Sequence, residues 1–102
     1  MGKYVFKLFV TGQTPRSEQA IRNLRAMCEA RLPGRYEMVV IDVLDQPELA
    51  EAQRVLATPM LIKETPPPER RIIGELTQVD DVLRLLGLQA PRGLRGAEGE
   101  DP

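Results

Sequence analysis

Apolar and polar residues in the first 43 positions follow two different periods. A near-continuous apolar run from Tyr4 to Val10 predicts a strand that is covered on both faces. Apolar residues then recur at helical spacing from Ile21 to Leu32, and Thr14-Pro15 has the form of a helix start. A second apolar strand is predicted from Tyr36 to Val43. A strand, a helix and a strand with short connections predict a βαβ unit with a parallel strand pair.

The next helix is predicted from a capping pattern. Glu48 follows Asp45 by three residues, which is the spacing of a capping box with Asp45 as the cap. Apolar residues at helical spacing form the predicted inner face, namely Leu49, Ala52, Val55 and Leu56.

Prolines mark the two short strands that follow. Thr58-Pro59 precedes the apolar run 60–62, and a turn made of Pro66, Pro67 and Pro68 leads to a strand from Arg71 to Gly74. Because proline cannot donate to a sheet ladder, this triple proline is expected in a turn or at a sheet edge.

A last helix is predicted after Thr77, and Gly87 suits the left-handed position that ends a helix. Its inward positions are Val79, Val82, Leu83 and Leu86. Residues 89–102 are rich in Gly and Pro and end acidic, which predicts a disordered tail. Residues 1–88 therefore form one predicted α/β domain of order βαβαββα.

Composition argues against most enzymatic chemistry. The 102 residues contain a single cysteine, Cys28, and no histidine. The cysteine count excludes an internal disulfide and a CxxC site, and the lack of histidine removes the commonest general base and metal ligand. Cys28 lies on the apolar face of the first helix and is interpreted as a small buried hydrophobe. We predict a protein that is not an enzyme and has no cofactor or metal.

Charge and hydropathy limit the partners further. The net charge is −1 and aromatic residues make up 4% of the chain, so we expect no nucleic acid partner. No apolar run approaches the roughly 18 residues that would cross a bilayer. The apolar start lacks a small-residue cleavage pattern and is interpreted as a strand rather than a signal peptide. A cytoplasmic protein without membrane association is expected.

Three polar segments carry the remaining candidate chemistry. In the loop 11–17, a nucleophile is disfavoured because no histidine is present to activate its hydroxyls. Capping and turn roles are favoured there over anion binding at the helix start, for which a single Gly12 is weak support. The acidic residues around Asp45 and Glu48 are favoured as helix caps over a cation site. Glu69-Arg70-Arg71, beside the rigid proline turn, fits a salt-bridged partner contact and a solvated sheet edge equally well.

Three segments together resemble the KaiB family of small clock proteins. They are Lys7 to Ser17 (KLFVTGQTPRS), Val40 to Lys63 (VIDVLDQPELAEAQRVLATPMLIK) and Pro66 to Thr77 (PPPERRIIGELT). The second half of the chain is also similar to a thioredoxin without its cysteines. The resemblance implies a thioredoxin-like fold. It also implies an alternative, the family's usually tetrameric ground state with a rearranged second half.

The resemblance implies a non-enzymatic regulator of circadian rhythm. KaiB proteins bind the N-terminal ATPase ring of KaiC, and in a complete clock they also sequester KaiA and displace the sensor domain of the kinase SasA. Their binding-competent state is a thioredoxin-like monomer, whereas the ground state is a homo-oligomer, a dimer or tetramer. We expect a KaiC-family ATPase as the main partner and a SasA-like histidine kinase as a second one.

Candidate contact residues also come from the resemblance. Arg54 stands where the family usually has a lysine that contacts KaiC, Arg70 and Arg71 match an arginine pair, and Tyr4 matches an early tyrosine. At the surface that recruits KaiA, positions 37 and 39 carry Glu and Val in place of Ala and Lys. This change of charge argues against KaiA binding.

A second set of residues is connected with the family's change of fold or with the shape of the rebuilt segment. These residues are Pro59, Pro66, Pro67, Pro68, Gly74, Leu85 and Gly87. Leu85-Leu86-Gly87 stands near a Gly-Leu-Asp of cyanobacterial members, and Leu is better than Gly inside a helix by roughly 0.5–1 kcal/mol. We therefore expect this chain to favour the thioredoxin-like state more than those members do.

Other functions are compatible with the same fold. One is a stand-alone SasA-like sensor module, and another is a KaiA-independent regulator of a stress response. A thiol-independent thioredoxin-fold enzyme, such as a glutathione-handling protein, is disfavoured because no cysteine lies near the start of the first helix.

Overall fold

The computed structural model describes residues 3–77 and 79–86 of the chain. The elements follow in the order β1 (Tyr4–Val10), α1 (Pro15–Arg31), β2 (Tyr36–Asp42), α2 (Pro47–Ala52), β3 (Met60–Thr65), β4 (Arg70–Ile73) and α3 (Val79–Leu86). This is the predicted βαβαββα order. Gly87 and the predicted tail 89–102 lie outside the described residues.

The four strands form one sheet in the order β2-β1-β3-β4. β1 and β2 are parallel, with Tyr4 opposite Tyr36, as the βαβ prediction requires. β3 is antiparallel to both β1 and β4. The two central strands, β1 and β3, supply most of the buried sheet residues, and this explains their near-continuous apolarity.

One face of the sheet is covered by α1 and α3. Thr14 caps α1 as predicted, since its Oγ1 accepts a hydrogen bond from the Ser17 amide at 3.1 Å, and Pro15 occupies the first turn. The helices and the sheet share a core that includes Phe6, Leu8, Leu24, Met27, Cys28, Leu61, Val82, Leu83 and Leu86. Three of the four inward positions predicted for the last helix are therefore confirmed, and the side chain of Val79 lies outside the described part.

The second helix begins later than predicted, and the Asp45 capping box is wrong. α2 starts at Pro47, its N-cap is Gln46, and no side chain makes a cap hydrogen bond. Proline has a helical φ and no N–H to satisfy, so it suits the first helical position without a cap. Asp42 orders the preceding loop instead: its Oδ1 accepts hydrogen bonds from the amides of Gly12 at 3.0 Å and Leu44 at 2.9 Å.

α2 also ends earlier than predicted, because the predicted inner face extended to Leu56. The helix has six residues and stops at Ala52, which is exposed, and Leu56 lies beyond the helix with 91% of its surface accessible. On this face the sheet and helix bury a smaller cluster, made of Phe9, Ile41, Ala50, Met60 and Ile62. The short helix therefore leaves part of this face open.

The remaining differences are small. β2 ends at Asp42 rather than Val43, and β4 runs from Arg70 to Ile73, one residue earlier at each end than predicted. Within residues 3–77 and 79–86, no helix combines the length and apolarity needed to cross a membrane.

Candidate partner-binding site

A groove of about 640 Å³ lies between the C-terminal end of α2, the loop after β1 and the segment that leads into β3. Its apolar lining consists of Val43, Pro47, Ala50, Val55, Leu56 and Ala57. Its polar lining consists of Thr11, Glu51, Arg54 and Thr58. Of the predicted contact residues, Arg54 is the one that lines this groove. We call residues 53–58 the α2-end segment.

The α2-end segment starts with a tight turn at Arg54. Arg54 has φ of +57°. Its amide donates to the Glu51 carbonyl at 3.0 Å, and the Val55 amide donates to the Ala50 carbonyl at 2.9 Å. These two bonds form a Schellman motif, in which glycine usually occupies the left-handed position. Arginine there accepts backbone strain that glycine would avoid, and its exposed side chain remains at the groove.

The opposite wall of the groove is held by hydroxyl groups and a proline. The Oγ1 atoms of Thr11 and Thr58 lie 2.6 Å apart and share a hydrogen bond. The Thr58–Pro59 peptide is cis, and Pro59 is buried while its carbonyl accepts from the Gly74 amide at 2.9 Å. These contacts join the loop after β1, the end of the groove and the end of β4.

Arg71 contacts the α2-end segment from β4. Its Nη1 donates to the Gln53 carbonyl at 2.6 Å, and its Nε donates to Glu69 Oε2 at 2.9 Å. The two predicted interpretations of the Glu69-Arg70-Arg71 run did not include this contact, because both treated Arg71 as a surface charge. No sequence signal for it exists, since Gln53 takes part through its backbone oxygen.

Tyr4 and Arg70 lie on the other face of the sheet, away from the groove. Tyr4 packs against the larger core, and the Lys63 Nζ is 5.9 Å from the centre of its ring. Arg70 is opposite Lys63 in the strand register and is exposed. The four predicted contact residues therefore form two pairs rather than one patch: Arg54 with Arg71, and Tyr4 with Arg70.

Lys63 is a buried cation that sequence patterning did not single out. It is 4% exposed and lies in β3 between the buried Ile62 and the half-buried Glu64. Burial lowers the pKa of the Lys63 ammonium, and the positive charge of Arg70 lowers that pKa further. In the described part of the chain no carboxylate lies within ion-pair distance of Lys63.

Cys28 lies in the larger core, as predicted from its place on the apolar face of α1. Cys28 is fully buried, and burial together with the nearby charge of Glu29 raises the pKa of its thiol to about 12. A thiol of that pKa is almost entirely protonated near neutral pH and is a poor nucleophile. Among residues 3–77 and 79–86, no three Cys, Asp or Glu side chains are arranged to hold a metal ion.

The residues predicted to shape the second half lie mainly at the surface. Pro66, Pro67 and Pro68 form the exposed turn between β3 and β4, with cis peptide bonds at Thr65–Pro66 and Pro67–Pro68. Gly74 follows β4 with φ of +123°, a conformation that side chains disfavour. Leu85 is 55% exposed on α3. Sequence reasoning had placed Leu56 inside, so it missed the most exposed large apolar side chain of the groove.

Comparisons with known proteins agree with this geometry. The KaiB domain family matches residues 7–88. The chain is 43% identical over 102 residues to the circadian clock protein KaiB3 of Synechocystis, covering 99% of this chain and 98% of that protein. It is 51% identical over 80 residues to the circadian clock oscillator protein KaiB of Prochlorococcus marinus, covering 78% of this chain and 76% of that protein.

Solved structures show the same fold. The N-terminal domain of Synechococcus elongatus SasA superposes with a TM-score of 0.71 and 26% identity, covering 89% of this chain and 90% of that domain. Chloroplastic thioredoxin z superposes with a TM-score of 0.68 and 20% identity, covering 84% of this chain and 78% of that chain. The fold is thioredoxin-like, and on the matched family and relatives this chain belongs to the KaiB family of circadian clock proteins.

Proposed function

We propose that this protein is a non-enzymatic clock regulator that binds the ATPase ring of a KaiC-family protein and modulates its phosphorylation and ATPase cycle. Family membership supports the clock role, and the groove beside the α2-end segment is the surface we assign to the partner. The proposed role places the protein in the cytoplasm, where such an ATPase would act.

The observation that carries this proposal is the exposure of Leu56 beside Arg54 at the groove. Leu56 is 91% exposed next to an apolar groove, so it buries almost none of its apolar surface in the free protein. It would contribute hydrophobic binding energy when a partner covers it. Buried apolar and arginine side chains supply much of the binding energy at protein interfaces. Arg54 is also the position that the family resemblance connects with KaiC.

The occupant that fits this groove is a partner segment with an apolar and an acidic side chain. The apolar side chain would pack on Val55, Leu56 and Pro47, and the acidic one would pair with Arg54. Charge-assisted pairs with arginine are directional, so this pair would also orient the segment.

The thioredoxin-like monomer is the state that we assign to binding. We also propose that it exchanges with a homo-oligomeric ground state in which the second half is rearranged. Leu85 stands near a glycine of cyanobacterial members and is the better helix former, so we expect it to favour the state with α3 formed. Size-exclusion chromatography at micromolar concentration is expected to show mainly monomer, and a stable tetramer with little monomer would contradict this preference.

Binding to the host's KaiC-family ATPase tests the main proposal. We expect the wild-type chain to bind the assembled ring in a nucleotide-dependent way, measured by biolayer interferometry with ATP and with ADP. Leu56→Ser and Arg54→Ala should each weaken binding by about tenfold or more, as for residues that anchor an interface. Arg25→Ala is the matched control, because Arg25 is exposed on α1 and loses the same charge away from the groove. Binding that is unchanged by Leu56→Ser and Arg54→Ala would reject the assigned surface.

A second candidate function is favoured by the likeness to the SasA N-terminal domain. A shared shape would let this chain compete with a SasA-like histidine kinase for one site on the ring. Adding this protein to a preformed complex of ring and SasA-like domain should then release the domain. Simultaneous binding of both would reject competition.

We expect no binding to KaiA, because positions 37 and 39 have the altered charge described above. Such a result is also compatible with a KaiA-independent role in stress response.

A further inference from the structure

The C-terminal end of α2 needs support from outside the helix. The last carbonyls of any helix lack partners within it, and cationic side chains at that end are favoured by the helix dipole. α2 has six residues and no basic residue in its last turn. Gln53 is the C-cap residue of α2 and the first residue of the α2-end segment.

Arg71 supplies that support from a different element. Its Nη1 donates to the Gln53 carbonyl at 2.6 Å, while its Nε is held by Glu69 at 2.9 Å. A guanidinium with one edge fixed by a carboxylate loses little further freedom when it binds a carbonyl. The Glu69–Arg71 pair therefore connects β4 to the end of α2, eighteen residues earlier in the chain.

The turn at Arg54, directly after Gln53, depends on this support. Arg54 holds a left-handed conformation with φ of +57°, which is unfavourable for a residue other than glycine. A strained turn persists only where the surrounding structure holds it. Here the neighbouring peptide, at Gln53, is the one that Arg71 binds.

We propose that Arg71 is a positioning residue: by holding the Gln53 carbonyl it keeps Arg54 and Leu56 in the arrangement that the partner recognises. This inference rests on the proposed function for its consequence in binding. The contact itself belongs to the free protein. Arg71 thus acts through the α2-end segment, and not through a contact with the partner.

Arg70 provides a matched control for Arg71. It is the adjacent residue on the same strand, carries the same charge and is exposed, but it lies on the opposite face of the sheet beside Lys63. Arg70→Ala removes one positive charge and leaves the Gln53 contact in place. In the free protein, the effect of losing a positive charge from β4 can therefore be separated from the effect of losing the Gln53 contact.

Hydrogen exchange of the free protein tests the contact between Arg71 and the Gln53 carbonyl without any partner. We expect Arg71→Ala to raise the exchange rates of the Arg54 and Val55 amides by about tenfold, because their bonds to Glu51 and Ala50 would open more often. Arg71→Lys and Glu69→Gln should produce smaller increases, and Arg70→Ala should produce none. In an Arg54→Gly background, Arg71→Ala should have a weaker effect, since glycine adopts the turn without strain. Unchanged Arg54 and Val55 exchange in Arg71→Ala would overturn the proposal.

Binding to the KaiC-family ring then tests the consequence. We expect Arg71→Ala to weaken binding by roughly fivefold to tenfold, with partial rescue in Arg71→Lys. Weaker binding with unchanged amide exchange would assign Arg71 to direct contact and overturn the positioning role. Faster exchange with unchanged binding would also overturn it, provided that Leu56→Ser weakens binding. If neither wild type nor variants bind the ring, the proposed function fails, while the exchange data still decide whether Arg71 holds the segment.

Discussion

The two faces of the sheet are built on different scales. α1 and α3, of 17 and 8 residues, cover one face and enclose the larger core. α2, of six residues, covers part of the other face over a cluster of five buried residues. The long-helix face holds the domain together. The α2 face leaves a groove, an exposed leucine and a strained turn, which are features expected of a recognition surface rather than of a stability core.

The largest expected difference between the two faces is in the free energy of unfolding when a leucine is removed from each. Leu24 is fully buried on the α1 face, so Leu24→Ala should lower the free energy of unfolding by about 2–5 kcal/mol. Leu56 is 91% exposed, so Leu56→Ala should change it by less than about 0.5 kcal/mol. Urea unfolding followed by circular dichroism measures both. Similar losses at the two positions would contradict the division into a packed and an open face.

A smaller effect of opposite sign is expected at the turn after α2. Arg54→Gly should raise the free energy of unfolding by about 0.5–1 kcal/mol, because glycine adopts a φ of +57° without the Cβ penalty. The same change should weaken binding to the KaiC-family ring, since it removes the cation at the groove. Thermal unfolding measures the expected gain in stability, and biolayer interferometry on the same preparation measures the expected loss of binding. A destabilised glycine variant would show that the arginine side chain itself stabilises the fold.

The smallest effect concerns the pH dependence contributed by the packed face. Burial lowers the pKa of Lys63 below its value in the unfolded chain, so the folded state binds fewer protons than the unfolded state just below pH 10.5. This residue therefore makes stability rise as pH increases through that window, while below it the buried charge is unfavourable. Lys63→Met should lack this rise, which appears as the difference between the urea midpoints of the two proteins from pH 7 to 10. Parallel curves would contradict it.

Local patterns predicted the packed face well. The helical spacing in α1 and three inward positions of α3, Val82, Leu83 and Leu86, are confirmed, because a continuous apolar stripe specifies which side of a helix is buried. The Thr14 cap is also confirmed, and it follows from the local residue types. The KaiB resemblance also named the correct family and the thioredoxin-like layout. Short local signals were less dependable: the Asp45 capping box failed because Pro47 set the start of α2.

The α2 face was predicted less well, and the candidate site with it. The KaiB resemblance selected Arg54 and Arg71 as candidate contact residues, whereas helical spacing placed Leu56 on the inner face of α2. The separation of Arg71 from Arg70 could be anticipated only in part: alternation along a strand puts the two on opposite faces, yet it does not say which residue meets α2. A contact to a backbone oxygen leaves no trace in residue type.

By itself the sequence determined the fold class, the packed face and the absence of an active thiol pair or a histidine base. These properties follow from composition and from the spacing of apolar residues within single elements. Only the tertiary structure decided that α2 stops at Ala52, that Leu56 is exposed, and that Arg71 reaches Gln53. Those features depend on how β4 and α2 lie beside one another. The physical reason is that a six-residue helix has few contacts of its own at its end, where the backbone bonds of the Arg54 turn and the Arg71 bond from β4 bring in groups from outside the helix.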